Sequence, residues 1–225
     1  MILPASVAVE NPWLSWRYVE SNWDDLTRLT GQHVSLTLQT VLIALAIALP
    51  LALVARSRPA VAGALLGTSA VLYTVPSLAL FGLLAPFTGI GRTTVLIGLV
   101  AYAMLVLVRN ILVGLDGVPP DVVDAARGMG YSGGRRLLAV ELPLALPAII
   151  TGVRLATVTT VALVTVGVVV GYGGLGQLMY RGFNSTYRAE IMTATLLCVA
   201  IALVADVALL ALGRVLAPWS RRRTA

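Results

Sequence analysis

The sequence contains no lysine: its sixteen basic residues are all arginine. A phosphate-binding loop of the Walker A kind needs a lysine after its glycines, so a standard ATP-hydrolysing site is excluded. Arginine-only usage also fits a GC-rich genome. Cysteine is nearly as scarce. Cys198 stands alone in an apolar run, which rules out an internal disulfide and reads as a small core residue. His33 is the single histidine, without histidine or cysteine partners, and so argues against a metal site. Charge is also sparse, at 12% of residues against about 25% in soluble domains. The opening "MILPASVAVE" has no basic stretch, so no cleavable signal peptide is expected. Low-complexity tracts, long linkers, inverted repeats and clusters of acid, base or metal ligands are absent too, which leaves an enzyme reading almost without support.

What is present is apolar. Hydrophobic residues make up 58% of the chain, and mean hydropathy is +0.91. A soluble fold would have to hide too much of that surface, so the composition implies an all-α, polytopic membrane protein. Five runs are long enough to cross a hydrocarbon core, which takes about 20 helical residues. They are Val34–Ala55, Ala60–Pro86, Thr93–Leu115, about Ala145–Val170, and Ile191–Gly213. Pro76 interrupts the second, Arg154 lies early in the fourth, and Asp206 lies in the fifth.

Arginine placement sets the expected orientation. One set of connections holds Arg56, Arg58, Arg127, Arg135, Arg136, Arg214, Arg221, Arg222 and Arg223. The other holds Arg17, Arg28, Arg92, Arg181 and Arg188, diluted by acids. Nine against five places the first set in the cytoplasm, with the N-terminus outside and the C-terminus inside. Residues 12–29 carry three of the four tryptophans and read as an outer interfacial helix, against a disordered leader as the alternative.

The longest cytoplasmic connection then contains "DAARGMGYSGGRRLLAVELPLALP". Pro119 and Pro120 stop the third span, while Pro120 and Asp121 suit the start of a new helix. Gly128 and Gly130 are placed to end it near Met129. "YSGGRRLLAVE" predicts a second short helix, ended by Pro143. Ala125 and Ala126 give the first helix a face without bulk, fit for close approach by a soluble partner. An ordinary solvated loop is the plainer alternative.

The spacing of this segment resembles the signature loop of ABC-importer permeases. Asp124-Ala125-Ala126 stands where that family usually has Glu-Ala-Ala. Gly130 follows after three residues, and nine more lead to Val140, where isoleucine is usual, then Leu142-Pro143. "YTVPSLALFGLLAPFTGIG", "VRNILVGL", "ELPLALPAIITGVR" and "GYGGLGQLMYRG" extend the likeness over residues 30–215, toward permeases of osmoprotectant importers for glycine betaine, carnitine and choline. Methionine permeases share the loop but look less similar around "PSLALFG" and "ARGMG".

The resemblance implies a type I importer permease fold of the methionine-permease kind in a bacterial inner membrane. It implies an outer segment at 1–29, a permease domain at 30–217 with a coupling loop at 116–143, and a basic cytoplasmic tail at 218–225. The implied partners are a cytoplasmic ABC ATPase dimer, a second permease subunit (identical or a sister chain), an extracytoplasmic solute-binding protein and membrane lipid, with no nucleic acid. ATP and Mg²⁺ are used by the ATPase, and this chain binds no cofactor.

Tyr73, Thr74, Pro76, Ser77, Thr157 and Thr160 are expected along the translocation path, with helix packing the competing reading for each threonine. Gly171, Gly173, Gly174 and Gly176 are expected to bend the chain over the outer mouth, where the binding protein docks. Their match to G-x-G-x-x-G lacks the strand–helix context of a dinucleotide site. Asp206 is expected to pair near Arg214, and Arg109 and Arg154 to snorkel toward the interface. Aromatic residues are only 6% of the chain, so a cation–π cage for a quaternary ammonium is expected in the binding protein. Two other readings remain: the same permease role for methionine or another amino acid, and an ATP-independent channel.

Overall fold

The computed structural model describes residues 11–219, in which every regular element is helical. The outermost parts of the two end segments, including Arg221, Arg222 and Arg223, lie outside the described residues. The helices are α1 (Trp16–Ser21), α2 (Trp23–Arg56), α3 (Pro59–Thr74), α4 (Ser77–Thr88), α5 (Arg92–Asp116), α6 (Pro120–Gly128), α7 (Gly133–Arg136), α8 (Leu142–Val164), α9 (Gly176–Asn184) and α10 (Arg188–Leu216). A π-turn, Leu137–Glu141, joins α7 to α8, and a 3₁₀ segment, Thr165–Val170, continues α8.

Four of these stretches are long and apolar enough to cross a membrane, and the bent pair α3–α4 brings the number to five if it is one span. The bounds depart from the sequence reading in three places. First, α2 has 34 residues and begins eleven positions before Val34. At 1.5 Å per residue it is about 51 Å long, well beyond a core of about 30 Å. Residue 29 therefore falls inside a helix; only α1 is a separate short helix.

Second, the run 60–86 is not one crossing helix, because α3 and α4 meet at 101°. Pro76 lacks an N–H and also pushes the residue before it out of the helical region. Val75 and Pro76 are both extended, with ψ of 126° and 133°. Third, Pro143 does not end a helix. Gly133–Val170 runs as one 38-residue stretch, because the π-turn absorbs the proline. Leu142 N–H donates to the Leu137 carbonyl, five residues back, and Pro143 follows at a wider turn that asks it for no donor.

The core lies where α2, α5 and α8 meet. Ala44, Ala48, Ala52 and Ala55 form a fully buried small-residue stripe on α2, facing Leu107, Ile111 and Leu115 of α5. Small residues let backbones approach in lipid, where close packing replaces the hydrophobic drive. The α5–α8 contact is closer still: a side chain on Gly152 would meet Asn110 Cβ at 2.5 Å, and one on Gly114 the Ala145 carbonyl oxygen at 2.8 Å. By contrast α10 is peripheral, with 6% of its apolar window buried against 50% for α5.

Candidate functional site

At one end of the bundle α6 stands apart from the spans. Pro120 opens it, Asp121 sits in its first turn and Arg127 in its last, in accord with the helix dipole. Its end is a complete Schellman motif. Tyr131 N–H donates to the Ala126 carbonyl (3.1 Å) and Gly130 N–H to that of Arg127 (2.9 Å). Gly130 takes φ +79°, the left-handed region that favours glycine. Gly128 is simply the last helical residue.

The two alanines split. Ala126 is 1% exposed and turned into the protein's own body, so it offers nothing to a partner, contrary to the expected two-alanine face. Ala125 is exposed, in line with Val122 and Met129 at helical spacing. The outward face is thus a narrow apolar stripe flanked by Asp124 and Arg127, both exposed, which pair at 2.9 Å. Ser132 caps α7 by accepting from Arg135 N–H (3.4 Å), and the Arg135 guanidinium lies 4.4 Å over the Tyr131 ring. Val140 falls in the π-turn and Leu142-Pro143 opens α8, all three half-buried.

Beneath this segment lies Glu141, 3% exposed. Both its carboxylate oxygens are held. Oε1 accepts from Arg136 Nε (2.6 Å), and Oε2 accepts from Arg56 Nη1 on the last turn of α2. Arg56 Nε is also 3.8 Å from Asp116 at the end of α5.

At mid-depth, the α3–α4 break frees the Val75 carbonyl, and the Tyr102 hydroxyl of α5 donates to it. Tyr73 packs edge-on to Tyr102, ring centroids 5.8 Å apart. Tyr73, Thr74 and Pro76 are exposed and Ser77 half-buried, on the outside of this single subunit. Thr157 and Thr160 are not with them: they are 7% and 2% exposed, and the Thr157 hydroxyl donates back to the Val153 carbonyl (2.7 Å). Within this subunit both are packing residues.

At the opposite end the glycine stretch folds tightly back on the 3₁₀ segment. Gly171 and Gly174 have positive φ, +77° and +53°. A side chain on Gly173 would meet Val168 N at 2.5 Å, and one on Gly176 would overlap the Thr165 carbonyl. Only Gly171 is exposed, so the other three glycines knit the fold rather than present a docking surface. His33 is the centre of this knot. Fully buried, it donates from Nε2 to the Val161 carbonyl (3.0 Å) and accepts at Nδ1 from Leu175 N–H (3.3 Å). Those two bonds define the neutral tautomer protonated at Nε2.

Beside the knot, Arg181 on α9 donates from Nε to buried Glu190 (2.5 Å) and lies 3.3 Å from Asp25 of α2. Burial opposes the charge of Arg181, but bonding to Glu190 holds its pKa above the usual arginine value. Tyr18 of α1 is pushed up to about 12, first by burial and then by the charge of Glu190. Asn11 clasps the α9–α10 turn, donating to the Thr186 carbonyl (2.6 Å) and accepting from Arg188 N–H (2.9 Å).

Of the charges within the spans, Asp206 pairs with Arg154 rather than near Arg214. Two parallel bonds, 2.9 and 2.8 Å, fasten α10 to α8. Arg109 is exposed. Sequence reasoning missed this pair, the Glu141 cluster, the Tyr102 bond and the role of His33. The signals were faint but real: a lone histidine in an apolar helix, and an acid at the mouth of a span just after paired arginines.

Three comparisons bear on this geometry. The family described as "Binding-protein-dependent transport system inner membrane component" matches residues 37–222. Similar proteins include the carnitine transport permease protein OpuCB of Listeria monocytogenes, 34% identical over 85% of this chain and 88% of that protein. The osmoprotectant import permease protein OsmW of Salmonella typhimurium is 37% identical over 89% and 96%. Among solved structures, an inward-facing conformation of the MetNI methionine ABC transporter superposes with a TM-score of 0.78 at 25% identity, covering 88% of this chain and 98% of that one.

Proposed function

The chain belongs to the binding-protein-dependent transport inner-membrane components, and on that premise we propose that it forms the path for a compatible solute of the glycine betaine, carnitine and choline class. It is a multi-pass permease subunit of the bacterial inner membrane. The osmoprotectant relatives favour this solute class over methionine.

Helix α6 carries the reading. An exposed apolar stripe of Val122, Ala125 and Met129, ended sharply by Gly130, fits a groove on a soluble ATPase that binds the ATP and Mg²⁺. In this proposal α6 and the Arg56 end face the cytoplasm. Exposure of Tyr73, Thr74 and Pro76 on the side of one subunit supports a path completed by a second permease subunit. At the other end, exposed Tyr180 and Phe183 of α9 support docking of a solute-binding protein.

Reconstitution with the neighbouring ATPase and binding protein tests the reading. ATP-driven uptake of a quaternary ammonium solute is expected, and Gly130→Pro should abolish it, because proline holds φ near −65° where the chain needs +79°. Flux through the chain alone without ATP, or unaltered uptake in Gly130→Pro, overturns the coupling role. A binding protein that selects methionine overturns the solute class only.

A further inference from the structure

We propose that Glu141 is the joint through which movement of the coupling segment reaches helix α2. This rests on the permease reading and assigns a positioning role to the residue that the signature spacing leaves unspecified, between Val140 and Leu142. Three observations carry it. The first is the bonding of Glu141. One buried carboxylate takes Arg136 from the coupling segment on one oxygen and Arg56 from α2 on the other, with Asp116 of α5 beside Arg56. A buried carboxylate that loses one of its two cations keeps an oxygen without its charged partner, so pulling the two sides of this joint apart carries a cost.

The second is its place in the backbone. Glu141 is the last residue of the π-turn, and Pro143, two residues on, has no N–H to lock the next turn in α-register. Rewinding there shifts the Leu142 bond to Leu137 but costs no bond at Pro143, which has no N–H to lose.

The third is an open cleft. A cleft of about 370 Å³, lined by Leu53, Arg56, Val123, Arg127, Arg136 and Glu141, lies between α6 and the end of α2. Side chains that do not pack across a cleft cannot transmit a push across it. The ionic joint spans it, so a displacement of α6 and α7 pulls α2 through Arg136, Glu141 and Arg56.

The test uses the whole importer, with ATPase and binding protein, in proteoliposomes. It reads solute-stimulated ATP hydrolysis and solute moved per ATP. Glu141→Gln should assemble, keep ATP hydrolysis within about twofold, and lower solute moved per ATP about tenfold. Arg56→Gln should do the same, and the double variant should be no worse than either single one, because both cut one connection. Should Glu141→Gln not assemble, Glu141→Asp, which keeps the charge but shortens the reach, is expected to show the same uncoupling at about threefold. Unchanged transport per ATP in an assembled variant overturns the joint, as does a proportional fall of hydrolysis and uptake. Wild-type importer that shows no ATP-driven uptake sinks the permease reading instead, so the two failures are distinguishable.

Discussion

The two ends of the bundle are built on opposite plans. Around His33 the chain is knit backbone to backbone, with Gly173, Gly174 and Gly176 in contact where no side chain fits. Around Glu141 the elements are held apart by a cleft and joined by charged side chains. Close-packed interiors transmit strain and resist volume change, whereas long arginines can follow a moving partner. On the proposed coupling, the difference puts rigidity at one end and motion at the other, within one subunit.

The largest effect should come from violating the rigid end. Gly176→Val places a branched side chain on the Thr165 carbonyl, and overpacking of that kind costs about 3 kcal/mol or more. The expected outcome is loss of folded protein from the membrane fraction, read by detergent-solubilised yield and melting. A stable Gly176→Val protein would break the comparison.

His33→Ala comes next. It orphans the Val161 carbonyl and the Leu175 N–H and leaves a void, for about 2–3 kcal/mol in total. His33→Phe restores volume without the bonds, so it should recover roughly half in a melting experiment. In both variants transport per ATP should stay near wild type, because this end carries no coupling.

Substitutions at the moving end should be milder for stability and sharper for coupling. Gly130→Ala forces an alanine to φ +79°, at a cost of about 1 kcal/mol. Melting should shift by a few degrees, while uptake falls severalfold because α6 ends at a different angle. The smallest effect belongs to Asp124→Glu. Asp124 and its partner Arg127 are both exposed, and surface pairs of this kind contribute about 0–1 kcal/mol. Stability should not change, and affinity for the ATPase, measured by titrating solubilised permease, should rise by no more than about threefold.

The helical fold and the coupling segment were legible in the sequence, the asymmetry between the two ends was not, and the reasons can be named. The segment around Gly130 could be read because its cues are local: Pro120 starts a helix, Asp121 meets the dipole, Gly130 permits a left-handed cap. The third and fifth spans, bounded by charges, needed only hydropathy. Pro143 misled because a proline stops a helix only when the preceding turn stays in α-register, and here a π-turn precedes it. Pro76 was found, but the angle it produces depends on a hydroxyl 26 residues later, at Tyr102, which no local rule connects to it. His33 and Glu141 share that limit. Apart from Arg136, five residues from Glu141, their partners are 85 to 142 residues distant, and a single buried polar side chain looks the same in sequence whether satisfied or not. Ala125 and Ala126 were paired by composition, yet adjacent residues on a helix lie about 100° apart, so one can face outward while the next turns into the protein, as these two do.

Helix α2 connects the two regimes, since it carries His33 near one end and Arg56 at the other. Twenty-three residues separate them, a span of about 35 Å at 1.5 Å per residue. On the proposed coupling this helix, which carries Pro50, would act as a lever pivoting at the knot, and its buried alanine stripe would have to move together with α5. A stroke of about 3 Å at the Arg56 tip then needs a tilt of only about five degrees over that length. A bond of 3.0 Å at the fulcrum barely changes under so small a rotation, so His33 can keep both its hydrogen bonds through the full swing.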